Sequence, residues 1–200
     1  MWLYRIIAFV FRGFTRLMGV RFTGKQNVPA EGAVVVIGNH RHWSDIVLMA
    51  LAVYPRQVHF MAKSEYSQNR FFNFIIHYLG SFTVERGEAD IRAIKTALGY
   101  LKQGEVVGIF PEGTRNKTDK LLLDFKPGAF VLASRGKAQV LPLAIYNAPN
   151  YASLRKPRTA VQVGEPFSLA DFLDEKKKFA PQPAADFALA TVEKMLKDVE

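Results

Sequence analysis

Ala33-Val34-Val35-Val36-Ile37 is an unbroken apolar run in which four successive residues are β-branched. A half-exposed strand would alternate apolar with polar residues, so a continuous run of this length predicts a strand buried on both faces, as in a parallel sheet. Similar short runs recur at 57–62, 80–84, 105–110, 139–145 and 159–163. Helical patterns fill the gaps at 44–53, 67–79, 88–102, 127–135 and 184–198. Strands alternating with helices predict an α/β fold, a mostly parallel central sheet flanked by helices. Tyr146–Pro157 reads as a loop, and Glu175-Lys176-Lys177-Lys178 as a solvated turn before the last helix.

No repeat, low-complexity tract or linker divides the chain, which reads as an α/β domain at 23–200 preceded by an amphipathic helix at 1–22. Residues 1–19 lack the continuous apolar core and small-residue cleavage site of a secretory signal. Arg5, Arg12 and Arg16 also interrupt them too often for a membrane-spanning helix, which needs roughly 20 mostly apolar residues. On a helix these arginines share an arc of roughly 40°. Trp2, Leu3, Ile6, Ile7, Phe9, Val10, Phe11, Phe14, Leu17 and Met18 take the broad remaining face. Two readings are open. The helix lies flat in the headgroup region of an anionic bilayer, or it packs on its own domain with the arginines toward water. The bulk of the apolar face and the Trp2/Tyr4 pair favour the bilayer.

The 200 residues are 49% hydrophobic, enough for a sizeable core, and include 16 phenylalanines. The sequence has no cysteine, which excludes disulfides, thiolate catalysis and zinc–cysteine sites. A net charge of +9 favours an anionic partner. The lysines and arginines are scattered rather than interleaved with aromatics along one groove, which argues against nucleic acid.

In open α/β sheets, ligands collect where strands end and helices begin. Three segments place reactive residues there. In Asn39-His40-Arg41-His42-Trp43-Ser44-Asp45, His40 stands at a strand exit and Asp45 at a helix start. If the turn brings the carboxylate to one ring nitrogen, the other is free to act as a base, since an ordinary histidine titrates near ~6.5. Ser44 or Asp45 as a simple helix cap, and a His40-x-His42 metal site with Asp45, are the competing readings. In Gly80-Ser81-Phe82-Thr83-Val84-Glu85-Arg86-Gly87, Arg86 suits bidentate phosphate recognition, or pairs at the surface with Glu85 or Glu88. In Phe110-Pro111-Glu112-Gly113-Thr114-Arg115, Gly113 permits a tight turn, Thr114 and exposed amides can donate to an anion, and Arg115 adds charge. An ordinary polar turn is the alternative there. Phe125-Lys126-Pro127-Gly128 adds a cation at a helix start.

These segments, in this order, resemble the glycerophospholipid acyltransferase superfamily, and within it the bacterial 1-acylglycerol-3-phosphate acyltransferases. Asn39-His40-(x4)-Asp45 matches its first block, Gly80–Arg86 its second, Phe110–Arg115 its third and Val140-Leu141-Pro142-Leu143-Ala144-Ile145 its fourth. The blocks run from Asn39 to Ile145, a little over half of the chain. His42 and Thr83 depart from the family pattern, which often has Ser and Ile there.

The resemblance implies that His40, oriented by Asp45, is the general base for acyl transfer onto lysophosphatidic acid, giving phosphatidic acid. It implies that Arg86, Glu112, Gly113, Thr114 and Arg115 hold the glycerol phosphate, with Lys63 and Lys126 further out. Pro142 would shape the strand bordering the acyl cleft. It implies no metal and no cofactor; the donor is a co-substrate, an acyl-ACP or acyl-CoA thioester. The expected partners are thus lysophosphatidic acid, acyl carrier protein or CoA thioester, and an anionic membrane surface. The expected location is peripheral or monotopic on the cytoplasmic face of the cell membrane. A different lysophospholipid or lyso-aminolipid acceptor is the rival within the superfamily.

Overall fold

The computed structural model describes residues 2–63, 81–84, 91–148, 159–176 and 178–198. The elements are α1 (Trp2–Leu17), β1 (Arg21–Thr23), β2 (Val34–Gly38), α2 (Asp45–Val53), β3 (Val58–Lys63), β4 (Phe82–Val84) and α3 (Ile91–Lys102). Then follow β5 (Val106–Ile109), α4 (Gly128–Arg135), β6 (Gln139–Tyr146), β7 (Ala160–Val163) and α5 (Pro181–Asp198). The helical pattern at 67–79 lies outside the described residues.

The strands form a seven-stranded sheet in the order β1-β7-β6-β2-β5-β3-β4. Every neighbouring pair is parallel except β6 and β7. Val34 to Ile37 are fully buried at the sheet centre, as a strand covered on both faces requires. On one face Val35, Ile37, Val107 and Val140 pack against α3, α4 and α5. On the other, Val34, Val36, Val58, Val106 and Leu143 pack against Leu48, Met49, Ala52 and Val53 of α2. Each such side chain contributes roughly 1.5–3 kcal/mol on burial, so these two layers fix the architecture.

β1 is an addition to the sequence expectation: a single apolar residue, Phe22, stands between Arg21 and Thr23, and the pairing to β7 is what makes it a strand. α5 starts three residues earlier than its apolar pattern, at Pro181, where a missing N–H costs a helix nothing.

After β2 the chain moves to β3 on one side; after β5 it moves to β6 on the other. The carboxyl ends of these adjacent strands therefore bound the crevice where connections diverge, the usual place for a ligand in such sheets.

α1 docks through a narrow seam. Tyr4, Ala8 and Thr15 are buried at helical spacing, Phe11 is half-buried beside them, and the Tyr4 hydroxyl donates to the Arg56 carbonyl at 3.2 Å. The arginines are exposed, and so are several large residues of the apolar face: Phe9 is 78%, Leu17 73% and Val10 61% accessible. The helix thus combines features of both sequence readings. It packs on its own domain, but by a narrow seam, and Phe9, Val10 and Leu17 point away. Among the described residues no helix is long and apolar enough to cross a membrane.

Candidate active site

The site begins with Asn39, which replaces main-chain pairing as β2 ends. Its buried side chain donates to the Ile145 carbonyl and accepts from the Ile145 amide, both at 2.8 Å, fastening the strand exit to β6. His40 follows, held by the turn into α2. Asp45 Oδ2 lies 2.9 Å from His40 Nδ1 and accepts the main-chain N–H groups of Arg41 at 2.7 Å and His42 at 2.8 Å. The turn wraps around one carboxylate oxygen. With Nδ1–H donating to Asp45, the lone pair of His40 is on Nε2. The ring is 16% exposed, and Asp45 is buried.

The helix-cap reading does not describe this turn. Ser44 occupies the cap position of α2 without a side-chain cap bond, and its hydroxyl meets His42 Nδ1 at 2.8 Å. His42 Nδ1 meets Ser44 while His40 Nδ1 meets Asp45, and among the described residues no group of three or more His, Asp or Glu side chains is placed to hold a metal ion.

Phe110, at the exit of β5, lies flat on the His40 imidazole, with centroids 4.1 Å apart and 16° between planes. Phe60 stacks behind it at 6.4 Å. Gly108 allows this column: a Cβ there would sit 2.5 Å from the Phe60 ring.

Glu112 lies beneath the site. Its side chain is buried, with Oε1 accepting the His40 main-chain N–H at 2.6 Å and Oε2 accepting that of Leu123 at 3.0 Å. Burial pushes its carboxyl above the ordinary 4.5, against the opposing pull of these hydrogen bonds and of nearby His40 and Arg41. The Asn116 amide donates to the His40 carbonyl at 2.6 Å. The Arg41 guanidinium reaches the Thr118 carbonyl at 2.8 Å, and Lys126 N–H closes the loop base on Pro111 O at 2.9 Å.

Gly113 takes φ +71°, and the Lys126 side chain lies over it, so that a Cβ at Gly113 would be 2.9 Å from Nζ. Thr114, Arg115 and Lys126 are exposed on this loop, with Lys117 and Lys120 alongside. Pro142 lies in the strand next to β2. It is buried in β6, pairs in register with Ile37, and its Cγ borders Gly164 together with the Met195 sulfur. Its main chain faces β7, where its carbonyl accepts from Gly164 and ladder pairing begins only at Leu143, so no ladder donor is lost. Lys63 ends β3, with only its main-chain position described; Arg86 lies outside the described residues.

The structure therefore unites His40, Asp45, Glu112 and the Gly113–Arg115 turn with Lys126. Sequence reasoning passed over Phe110 as a ring partner and over Asn116 and Leu123. The Asn116-Lys117-Thr118 turn carried a signal for the second: the Asn116 side chain accepts from both Thr118 N and Oγ1, as short polar side chains do in turns.

Comparison with known proteins follows the same lines. The Acyltransferase family pattern matches residues 19–146. A 1-acyl-sn-glycerol-3-phosphate acyltransferase of Bacillus subtilis is 35% identical over 171 residues, covering 84% of each chain. The chain belongs to the acyltransferase family. Another acyltransferase relative, the 1-acyl-sn-glycerol-3-phosphate acyltransferase of Streptococcus pneumoniae, is 31% identical over 140 residues, 68% of this chain and 51% of that protein. The crystal structure of the 1-acyl-sn-glycerophosphate (LPA) acyltransferase PlsC from Thermotoga maritima superposes with TM-score 0.73 at 23% identity, covering 98% of this chain and 80% of that one. It carries the acyltransferase fold over nearly the whole chain.

Proposed function

We propose that this O-acyltransferase moves a fatty acyl group from an acyl thioester to the free hydroxyl of 1-acylglycerol-3-phosphate, giving phosphatidic acid. The observation that carries the reading is the 2.9 Å contact between His40 Nδ1 and Asp45 Oδ2, which leaves Nε2 as a base in the crevice between β2 and β5. Nε2 takes the hydroxyl proton as the oxygen attacks the thioester carbonyl. The tetrahedral intermediate collapses, the C–S bond breaks, and the imidazolium returns the proton to the departing thiolate. Asp45 stabilises the imidazolium between the two transfers.

The acceptor's phosphate is assigned to Arg86 and the exposed turn, Thr114, Arg115 and the amides around Gly113, with Lys63 and Lys126 as outer cations. Glu112, both of whose oxygens accept main-chain amides, is removed from that set. The donor is acyl-ACP or acyl-CoA, serving as co-substrate without a further cofactor. The names of the Bacillus and Streptococcus relatives support this acceptor.

The exposed Phe9, Val10 and Leu17 with the arginines of α1 support docking on an anionic membrane surface, which we place at the cytoplasmic face. Thioester release measured with both donors across a panel of lysophospholipids and lyso-aminolipids tests the proposal. Lysophosphatidic acid is expected to give the highest kcat/KM, and His40→Ala to lower turnover about 10²–10⁴-fold in a folded protein. Preference for an uncharged or zwitterionic acceptor, or full activity in the variant, overturns it.

A further inference from the structure

The base is held through its main chain as well as its ring. The two sides of residue 40 are gripped by one loop: Glu112 Oε1 takes the N–H at 2.6 Å, and the Asn116 amide gives a hydrogen bond to the carbonyl, also at 2.6 Å. The second oxygen of Glu112 reaches across the same loop to Leu123 N at 3.0 Å. A buried carboxylate with each oxygen on an amide has no exposed surface to offer a substrate hydroxyl. It sits where it ties the exit of β2 to both arms of the loop that follows β5.

We infer that Glu112 is a positioning residue for the base, fixing the main chain of His40 against the Gly113–Lys126 loop without touching the acceptor. The inference rests on His40 being the base, as proposed above. Its consequence is geometric. The ring orientation set by Asp45 and Phe110 is useful only if the histidine's backbone keeps a constant distance from the anion-holding turn, and Glu112 immediately precedes that turn. A shift of about 1 Å in such a pairing can cost on the order of 10²-fold in rate.

The test is steady-state thioester release by the protein on lysophosphatidic acid in mixed micelles, comparing Glu112→Gln with Arg115→Ala. Glu112→Gln keeps the side chain's shape but turns an NH2 group toward one of the two amides. Its kcat is expected to fall about 10²-fold with KM changed less than twofold, whereas Arg115→Ala raises KM. Raised KM with retained kcat in Glu112→Gln would place Glu112 on the acceptor and overturn the inference; unchanged kcat and KM would overturn it too.

Amide exchange at His40 in the wild type supplies a measurement that needs no variant to fold. Protection comparable to the neighbouring β2 amides supports the clamp, and exchange at the rate of an open loop overturns it. His40→Ala, run in parallel, separates the two ideas. Retained activity there removes the base assignment itself, while the exchange result speaks only to Glu112.

Discussion

The imidazole of His40 lies face to face with the ring of Phe110, 4.1 Å away, and Phe60 backs the pair. Aromatic pairs of this kind contribute about 0.5–1.5 kcal/mol beyond simple burial. Phe110→Leu keeps much of the apolar volume and loses the flat support. The expected result is a kcat about two- to tenfold lower with KM for lysophosphatidic acid unchanged, read from initial rates. An unaltered kcat would mean that Asp45 alone sets the ring.

Gly113→Ala attacks the turn twice. A left-handed φ of +71° costs an L residue about 1–2 kcal/mol, and the new Cβ would meet Lys126 Nζ at 2.9 Å. The lysine must move. The expected outcome is a Tm lower by about 2–8 °C and a KM for lysophosphatidic acid raised roughly tenfold, with donor KM unaffected. Thermal melts and acceptor titrations check it.

The outward face of α1 allows the proposed membrane docking to be tested apart from folding. Phe9 and Leu17 are among its most exposed residues, so Phe9→Glu with Leu17→Glu should leave stability within about 0.5 kcal/mol for each change. Co-sedimentation with phosphatidylglycerol vesicles should drop to background. Undiminished vesicle binding would assign membrane contact to another surface.

Tyr4 gives α1 a sensitivity to alkali. Desolvation by burial pushes its phenol up to about 12 from 10.0, outweighing the contrary effect of a hydrogen bond with the Val58 main chain. The folded state therefore holds this proton longer than the unfolded chain does. Its contribution is intact below pH 10 and is lost as pH rises toward about 12, by up to roughly 2–3 kcal/mol. Urea midpoints across that window should fall for the wild type more steeply than for Tyr4→Phe; parallel curves would exclude the effect.

The sheet was legible where burial dictates composition. Val34–Gly38 and Val106–Ile109 are continuous apolar runs because both faces are covered, and their parallel pairing follows. β1 was illegible because its three residues become a strand only through β7, more than 130 residues away in sequence. The antiparallel entry of β7 was equally hidden, since nothing in Ala160–Val163 records the direction of approach. In the site, His40 and Asp45 could be paired on paper because they stand only five positions apart, across one turn. The buried placement of Glu112 could not, for it depends on a loop after β5 folding back under the exit of β2. The seam of α1 is not announced by residue bulk: Tyr4, Ala8 and Thr15, which fall beside the arginine stripe, make the contact, while Phe9, Val10 and Leu17 of the large apolar face stay exposed.

The loop from Glu112 to Leu123 behaves as a bridge whose two abutments, Glu112 and Leu123, are bolted by a single carboxylate. Within the span, the Asn116 main-chain N–H holds the His40 carbonyl, and the Asn116 side chain is tied in turn to Thr118 and Lys120. Under the proposed assignment, exchanging the exposed Thr114, Arg115 and Lys117 while keeping Asn116 and Thr118 is therefore the expected route for retuning headgroup preference without disturbing His40.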